Sequence, residues 1–105
     1  MSILPQEQLE RNLMKADKKI IQICSELGFS NHIKEQSYRL YKKGLEKGVI
    51  RGYNIKGMIS ACVFVITQLQ NNSKTLDDIA NAANEDKTLI EQSYKLLITE
   101  LKLTI

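Results

Sequence analysis

Basic side chains gather in one part of the chain, and their chemistry is that of phosphate binding. Residues 11–51 contain ten basic and four acidic side chains, whereas residues 52–105 contain five basic and six acidic ones. Lys42, Lys43 and Lys47 fall on the outer face of a predicted helix. Because such ammonium groups neutralise backbone phosphates, this half of the chain is a candidate surface for a polyanion. A solvated helix face without a ligand is the alternative interpretation.

Reactive and metal-binding side chains are scarce. The single histidine, His32, falls at a predicted helix start, and Cys24 and Cys62 stand 38 positions apart within apolar patterns. This spacing matches neither a zinc-ligand pair nor a redox motif, and no glycine-rich phosphate-binding loop occurs in the sequence. Asp77 and Asp78 are adjacent, and helix capping explains them without catalysis. We therefore expect no enzyme activity, no metal site and no cofactor.

The hydrophobic periodicity predicts five helices in one domain. A chain of 105 residues suffices for one small domain, and its single proline and five glycines favour helices over a turn-rich β fold. Apolar residues at steps of three and four define a first helix that runs to Leu27 and ends at Gly28. The second helix begins at Ser30 or Asn31 and ends near Gly48.

The third predicted helix, from Ile55 to Leu69, is apolar on almost every face. A helix of that kind is buried, whereas each helix of a simple four-helix bundle keeps one wet face. The connector before it contains Gly52, which together with Gly48 predicts a tight, exposed turn. The predicted fold is an all-α domain in which four amphipathic helices cover a central third helix.

The end of the chain predicts two further helices joined by a polar turn. Thr75 and Asp78 have the spacing of a capping box, and residues 84–86 form the turn that leads to the fifth helix. The same two helices are compatible with a helix-turn-helix in which Gln92 and Lys95 contact base edges. That turn carries two acidic residues where phosphates require positive charge, so a sequence-specific regulator is kept as an alternative only.

Three short sequence motifs resemble those of a known family. Residues 59–65, I-S-A-C-V-F-V, resemble the I-A-S-A-C-L-Y-I-A motif in the third helix of the first cyclin-like repeat of general transcription initiation factor IIB. Residues 74–80, K-T-L-D-D-I-A, are similar to that family's R-T-x-K-E-I-A segment, and residues 93–98, S-Y-K-L-L-I, to its C-[FY]-K-L-I-L segment. The resemblance covers roughly residues 9–103 and implies a five-helix cyclin-like (cyclin box) fold.

The resemblance implies a scaffold that binds TATA-binding protein and bent promoter DNA, assembles the preinitiation complex and helps to recruit RNA polymerase. In the family, a Gly-Arg pair between the second and third helices reaches the minor groove. Here the aligned residues are Gly52 and Tyr53, with Arg51 just before them, so we expect a changed or weakened DNA preference. The expected DNA-binding residues are Lys42, Lys43, Lys47, Arg51, Gly52, Tyr53 and Lys56.

The resemblance also implies a surface for TATA-binding protein at the start of the fifth helix, where basic residues meet an acidic partner. Lys87 matches one of these basic residues, while Thr88 and Gln92 replace others. We expect these three to be the partner-binding residues. Since opposed charges mainly set association rate and specificity, the replacements predict a changed choice of partner and an unchanged fold.

The family pattern divides the chain into an N-terminal extension, residues 1–8, and a single cyclin-like repeat, residues 9–105. The family's zinc ribbon, linker and second repeat have no counterpart in the sequence, so we expect a fragment of a longer factor. A free-standing single repeat, the related factor for RNA polymerase III, and a viral or archaeal copy are alternatives. A cyclin-like protein-interaction adaptor without DNA binding is the alternative of a different class.

The apolar pattern also bears on location and assembly. The sequence has neither a long apolar run nor the apolar core of a signal peptide, which predicts no membrane association and no secretion. We expect a nuclear protein if the source is eukaryotic and a cytoplasmic one otherwise. The absence of a heptad seam favours a monomer.

Overall fold

The computed structural model describes residues 6–52 and 54–104, which form five α-helices. In chain order they are α1 (Gln6–Leu27), α2 (Asn31–Glu46), α3 (Ile55–Leu69), α4 (Leu76–Ala83) and α5 (Lys87–Leu101). No β-strand occurs in these two ranges, and the prediction of an all-α domain of five helices is confirmed. Helix α1 begins within the predicted extension, and the division of the chain at residue 8 stays a prediction.

The boundary between α1 and α2 follows from a glycine and a serine. Gly28 has φ +69°, a conformation that costs a residue with a side chain about 1 kcal/mol or more, and α1 ends there. The hydroxyl of Ser30 accepts a hydrogen bond from the backbone N–H of Ile33 at 3.3 Å, which caps α2. Of the two predicted caps, Ser30 is the one that acts.

Helix α3 is the centre of the domain and packs against all four other helices. Ten of its fifteen residues are buried, among them the polar residues Ser60 and Thr67. The predicted central helix is thus confirmed with its predicted bounds. Cys62 of α3 and Cys24 of α1 are free and buried, and burial raises the pKa of the Cys24 thiol to about 11, so both cysteines are packing residues as predicted.

Close approach of α3 and α5 depends on a glycine. A Cβ atom built on Gly57 would collide with the Ser93 hydroxyl and would lie 2.9 Å from Cγ of Leu89. Ser93, Ile90 and Leu97 form the buried face of α5, as the periodicity predicted for that helix. The small residue on α3 therefore sets the distance between the two helices.

Helix α4 has the predicted capping box, and α5 is capped from within the predicted turn. Thr75 and Asp78 form a complete capping box, with the Thr75 hydroxyl accepting from the Asp78 N–H and the Asp78 carboxylate accepting from the Thr75 N–H. Asn84 ends α4 in the left-handed conformation, and Asp86 caps α5 by accepting from the Thr88 N–H. The short turn at residues 84–86 is thus held at both ends.

The connector between α2 and α3 differs from its prediction. An exposed turn was predicted for both glycines, yet two of the three residues between them, Val49 and Ile50, are 9% and 2% exposed and belong to the core. The prediction of a wholly exposed connector is wrong because two apolar side chains next to a helix end gain more by packing than by solvation. Of the described connector residues that follow Ile50, Arg51 and Gly52 are exposed and Asn54 is half-buried.

The described residues contain neither a helix that could span a membrane nor a cluster of side chains that could hold a metal ion. No helix in the described part of the chain has the length and apolar character to cross a membrane. Among the same residues, no group of three or more histidine, cysteine, aspartate and glutamate side chains is arranged to hold a metal ion.

Candidate nucleic-acid interface

The connector is attached to the end of α2 by its backbone. The N–H groups of Val49 and Ile50 both donate to the carbonyl of Gly44, at 2.9 and 3.0 Å. A Cβ atom on Gly44 would lie 2.7 Å from Cδ1 of Ile50, so the glycine leaves the space in which the Ile50 side chain packs. The exposed residues that follow therefore start from a fixed point.

Asn54 organises the exposed half of the connector. Its Oδ1 accepts from the Arg51 N–H at 2.8 Å, its Nδ2 donates to the Val49 carbonyl at 3.2 Å, and its own N–H donates to the Arg51 carbonyl at 3.0 Å. Asn54 precedes α3, but its side chain makes no capping hydrogen bond to that helix. The amide thus holds the connector, and the first N–H groups of α3 are left without a side-chain acceptor.

The Arg51 side chain is exposed and oriented. Its Nε donates to the carbonyl of Gly48 at 2.7 Å, and its two terminal guanidinium nitrogens are further donors, for which no hydrogen-bond partner occurs among residues 6–52 and 54–104. Gly48 has φ +73°, a conformation suited to glycine. An arginine held in this way loses less conformational entropy on binding than a free one.

The four predicted lysines flank Arg51 and are all exposed. Lys42, Lys43 and Lys47 occupy the C-terminal part of α2 and its C-cap. Lys43 in the last turn and Lys47 at the C-cap complement the negative helix end. Lys56 lies in the first turn of α3, which contains no acidic residue. A cation there opposes the helix dipole at a cost of about 0.3–1 kcal/mol, so Lys56 does not stabilise this helix end.

Gly52 and Tyr53 are the remaining two members of the predicted DNA-binding set. Gly52 is exposed, and a Cβ atom built on it has no heavy atom within 4 Å. Its backbone is therefore open to a close approach by a ligand. Tyr53 lies outside the described residues, so its expected role stays a prediction.

The three predicted partner-binding residues are exposed in the first turns of α5. Nζ of Lys87 lies 3.0 Å from Oδ1 of Asp77. Lys87, the residue that matches a basic residue of the family, therefore already forms an ion pair with a residue of α4. The Thr88 N–H donates to the capping carboxylate of Asp86 at 2.8 Å. Gln92 follows Thr88 by one turn and shares its helix face.

The predicted DNA-binding residues and the predicted partner-binding residues lie next to each other. A hollow of about 210 Å³ is lined by Gly52, Asn54, Ile55, Lys56, Gly57 and Leu89. The first turn of α3, with Lys56, therefore lies beside the first turn of α5, with Thr88. The structure brings the end of the DNA-binding set next to the partner-binding set on one side of the domain.

Comparison with known proteins shows which family the chain belongs to. Residues 9–100 match the family described as the transcription factor TFIIB repeat. The chain belongs to the TFIIB repeat family. Its similar proteins include transcription initiation factor IIB of Pyrococcus furiosus, which is 38% identical over 95 residues covering 90% of this chain and 32% of that protein. Transcription initiation factor IIB of Methanocaldococcus jannaschii is 34% identical over 96 residues covering 91% of this chain and 14% of that protein.

The matched region of this TFIIB repeat contains most of α1 and α2 to α4 complete. The chain spans about a third of the length of the Pyrococcus furiosus relative and less of the other. The motif at residues 59–65 lies in α3, where six of its seven residues are buried. This α3 motif therefore consists mainly of packing residues, and it identifies the fold of the TFIIB repeat rather than its ligand.

Sequence reasoning missed the residues that organise the interface. Asn54 was assigned to the connector without a role, and the anchoring of Ile50 in the space beside Gly44 was not predicted. An asparagine in a connector is a signal for a turn stabilised by its side chain, because its amide readily hydrogen-bonds nearby backbone groups. No comparable local signal announces the burial of Val49 and Ile50.

Proposed function

We propose that this TFIIB repeat is the first cyclin-like repeat of a transcription initiation factor IIB, residues 9–105, with residues 1–8 as an extension. It binds promoter DNA and TATA-binding protein and helps to recruit RNA polymerase through the full-length factor. The observation that carries the proposal is the family match over residues 9–100. Since the relatives are archaeal, the proposed place of action is the cytoplasm, where archaeal DNA lies, and the proposed role is not enzymatic.

The DNA arm of the proposal rests on the connector. Arg51 is oriented by Gly48 and Asn54, and Gly52 beside it has no atom that blocks a close approach. Both properties suit entry of a guanidinium into a minor groove. The surrounding lysines supply contacts to phosphates, which position the domain without reading sequence.

The protein arm rests on the first turns of α5. Lys87 is paired with Asp77, but both side chains are more than half exposed, so the pair exchanges readily for an acidic residue of a partner. Thr88 and Gln92 offer hydrogen-bonding groups without charge beside it. We propose that this arrangement makes the contact with TATA-binding protein less dependent on charge than a fully basic surface.

The test is a gel-shift titration on TATA-containing duplex DNA at low and moderate salt, with and without an archaeal TATA-binding protein. The expected result is a supershifted complex only when TATA-binding protein is present, weakened by salt. Sequence-selective binding without that protein contradicts the proposal and favours the helix-turn-helix regulator. No shift under any condition contradicts it in favour of a protein-interaction adaptor.

Variants assign the complex to the proposed surface. Arg51→Gln combined with Lys56→Gln is expected to weaken the supershifted complex. The matched control is Lys34→Gln combined with Lys74→Gln, which removes the same charge from the first turn of α2 and from the segment between α3 and α4. Equal complexes for the two double variants would show that the connector does not bind the DNA.

A further inference from the structure

A second cationic surface lies beside the connector, on α1. A hollow of about 350 Å³ is lined by Gln8, Arg11, Asn12, Lys15, Gly52 and Ile55. Four polar side chains from successive turns of α1 therefore border the same space as the exposed glycine of the connector and the first residue of α3. Arg11 and Lys15 are about 40 positions away from Gly52 in sequence, and only the fold brings them together.

The position of α1 relative to this hollow is fixed at two points. The Tyr41 hydroxyl of α2 donates to Oδ1 of Asn12, and burial raises the pKa of Tyr41, so the donor keeps its proton at neutral pH. Further along α1, Lys19 donates to the Ala83 carbonyl at 2.5 Å, at the C-terminal end of α4. Arg11 and Lys15 therefore stay beside the connector rather than moving with a free helix end.

The charge around the hollow is positive. Oε2 of Glu7 lies 3.9 Å from Nη2 of Arg11, and the two side chains are 90% and 71% exposed. An ion pair so long and so exposed is weak. Among residues 6–52 and 54–104, the structure pairs no carboxylate with Lys15. The first turn of α3, which begins at Ile55, has no acidic residue and no side-chain cap, so its N–H groups add to the positive potential.

We propose that this hollow binds a backbone phosphate of DNA, with Arg11 and Lys15 as its cationic contacts. The nucleic-acid interface then extends from the connector onto α1, and Gly52 lies between two cationic surfaces, α1 on one side and Lys56 on the other. The identity of the polyanion rests on the proposed function. The contact itself is a phosphodiester site, so it adds affinity and salt dependence without adding sequence preference.

The experiment measures the affinity of the chain for TATA-containing duplex saturated with TATA-binding protein, over a series of salt concentrations. Arg11→Gln with Lys15→Gln is expected to weaken the complex on the order of tenfold at low salt and to reduce the log–log salt slope by about 0.9 for each phosphate that is no longer neutralised. Both side chains are exposed, so the fold is retained, which circular dichroism checks. The charge-matched control is again Lys34→Gln with Lys74→Gln.

A change of opposite sign gives a second readout. Glu7→Gln removes the carboxylate next to Arg11 and is expected to strengthen the complex about twofold, because less negative charge faces the phosphate. If the α1 double variant behaves like the matched control, the α1 site is overturned. A weaker complex with Glu7→Gln would also overturn the α1 site.

The same assay separates this inference from the proposed function. Loss of affinity in Arg51→Gln with Lys56→Gln, but not in the α1 double variant, supports the proposed function and overturns the α1 site. The reverse result supports the α1 site and overturns the role of the connector in DNA binding. If the unaltered chain forms no complex, the proposed function fails and the α1 site fails with it.

Discussion

Nζ of Lys87 lies 3.0 Å from Oδ1 of Asp77, so the first turn of α5 and the first turn of α4 are joined by an ion pair. The side chains are 54% and 66% exposed, and a pair so exposed contributes little to stability. Its consequence is for binding, because an acidic partner must compete with Asp77 for the same ammonium group. The intramolecular pair thereby sets how readily the α5 surface accepts an acidic partner.

Asp77→Asn tests this competition. Removing the carboxylate frees Lys87, and we expect binding to the complex of TATA-binding protein and DNA to tighten roughly two- to fivefold, which corresponds to the strength of an exposed ion pair. The free energy of unfolding should change by less than about 1 kcal/mol. Glu100→Gln, at the other end of α5, removes the same charge as a control. Equal tightening in both variants would mean that net charge, and not Lys87, is responsible.

Asn54→Ala tests the organisation of the connector. The change removes the two side-chain hydrogen bonds to Arg51 and Val49, so we expect a loss of about 1–2 kcal/mol in urea denaturation. DNA affinity should fall as well, because Arg51 loses its orientation. Asn72→Ala is the matched control, since Asn72 accepts a similar hydrogen bond from the Lys74 N–H at 3.0 Å in the connector between α3 and α4. A DNA affinity equal to that of the control would contradict the role of Asn54.

The elements that the sequence predicted are those that local pattern determines. The apolar composition of α3 is evident from its own fifteen residues. The capping box of Thr75 and Asp78 is recognised from the spacing of two side chains. Both signals are complete within a few helical turns. Family resemblance added the cyclin-like arrangement because its α3 motif is almost wholly buried and its other two motifs contribute buried residues of α4 and α5.

The parts that were not predicted depend on contacts between distant segments. Ile50 is buried because Gly44 leaves space beside it. Arg11 adjoins Gly52 because the fold packs α1 beside the connector, where Asn12 is hydrogen-bonded to Tyr41. Periodicity within one helix contains neither relationship. Charge counting found the basic half of the chain but could not decide which of its lysines and arginines share one surface.

Two glycines of the interface region should respond differently to alanine. In Gly57→Ala the new methyl group collides with Ser93 and Leu89 of α5, and we expect a loss of about 1–3 kcal/mol in chemical denaturation. In Gly52→Ala the methyl group meets nothing within 4 Å, so stability should stay within about 0.5 kcal/mol of the unaltered chain. Gly52→Ala should nevertheless weaken the DNA complex if DNA approaches that backbone. Unchanged DNA affinity would place the DNA elsewhere.

The capping box predicts a dependence of stability on pH. Hydrogen bonds from the backbone and side chain of Thr75 hold the pKa of Asp78 below its usual value. A carboxyl whose pKa is lowered by folding stabilises the fold above its unfolded-state pKa, and this stabilisation is lost as the pH falls through the folded-state value. Urea denaturation of the unaltered chain should therefore shift to lower midpoints below about pH 4, and the shift should be smaller in Asp78→Asn. Asp17→Asn, an exposed change in α1, should leave the shift as it is, and an identical pH profile for all three chains would exclude the capping box as its source.

Gln92→Ala distinguishes the proposed interface from base reading by α5. If DNA is bound by the connector and α1, the variant keeps its preference among duplexes with single base-pair substitutions and loses affinity only when TATA-binding protein is present. A helix-turn-helix regulator predicts instead a loss of about 1–3 kcal/mol of discrimination at one base pair. The structure favours the first outcome, because Asp86 caps α5 and Asp77 pairs with Lys87 at the end of the helix that would meet the phosphates. Lys95→Ala, three residues further along the exposed face, should likewise leave base preference unchanged.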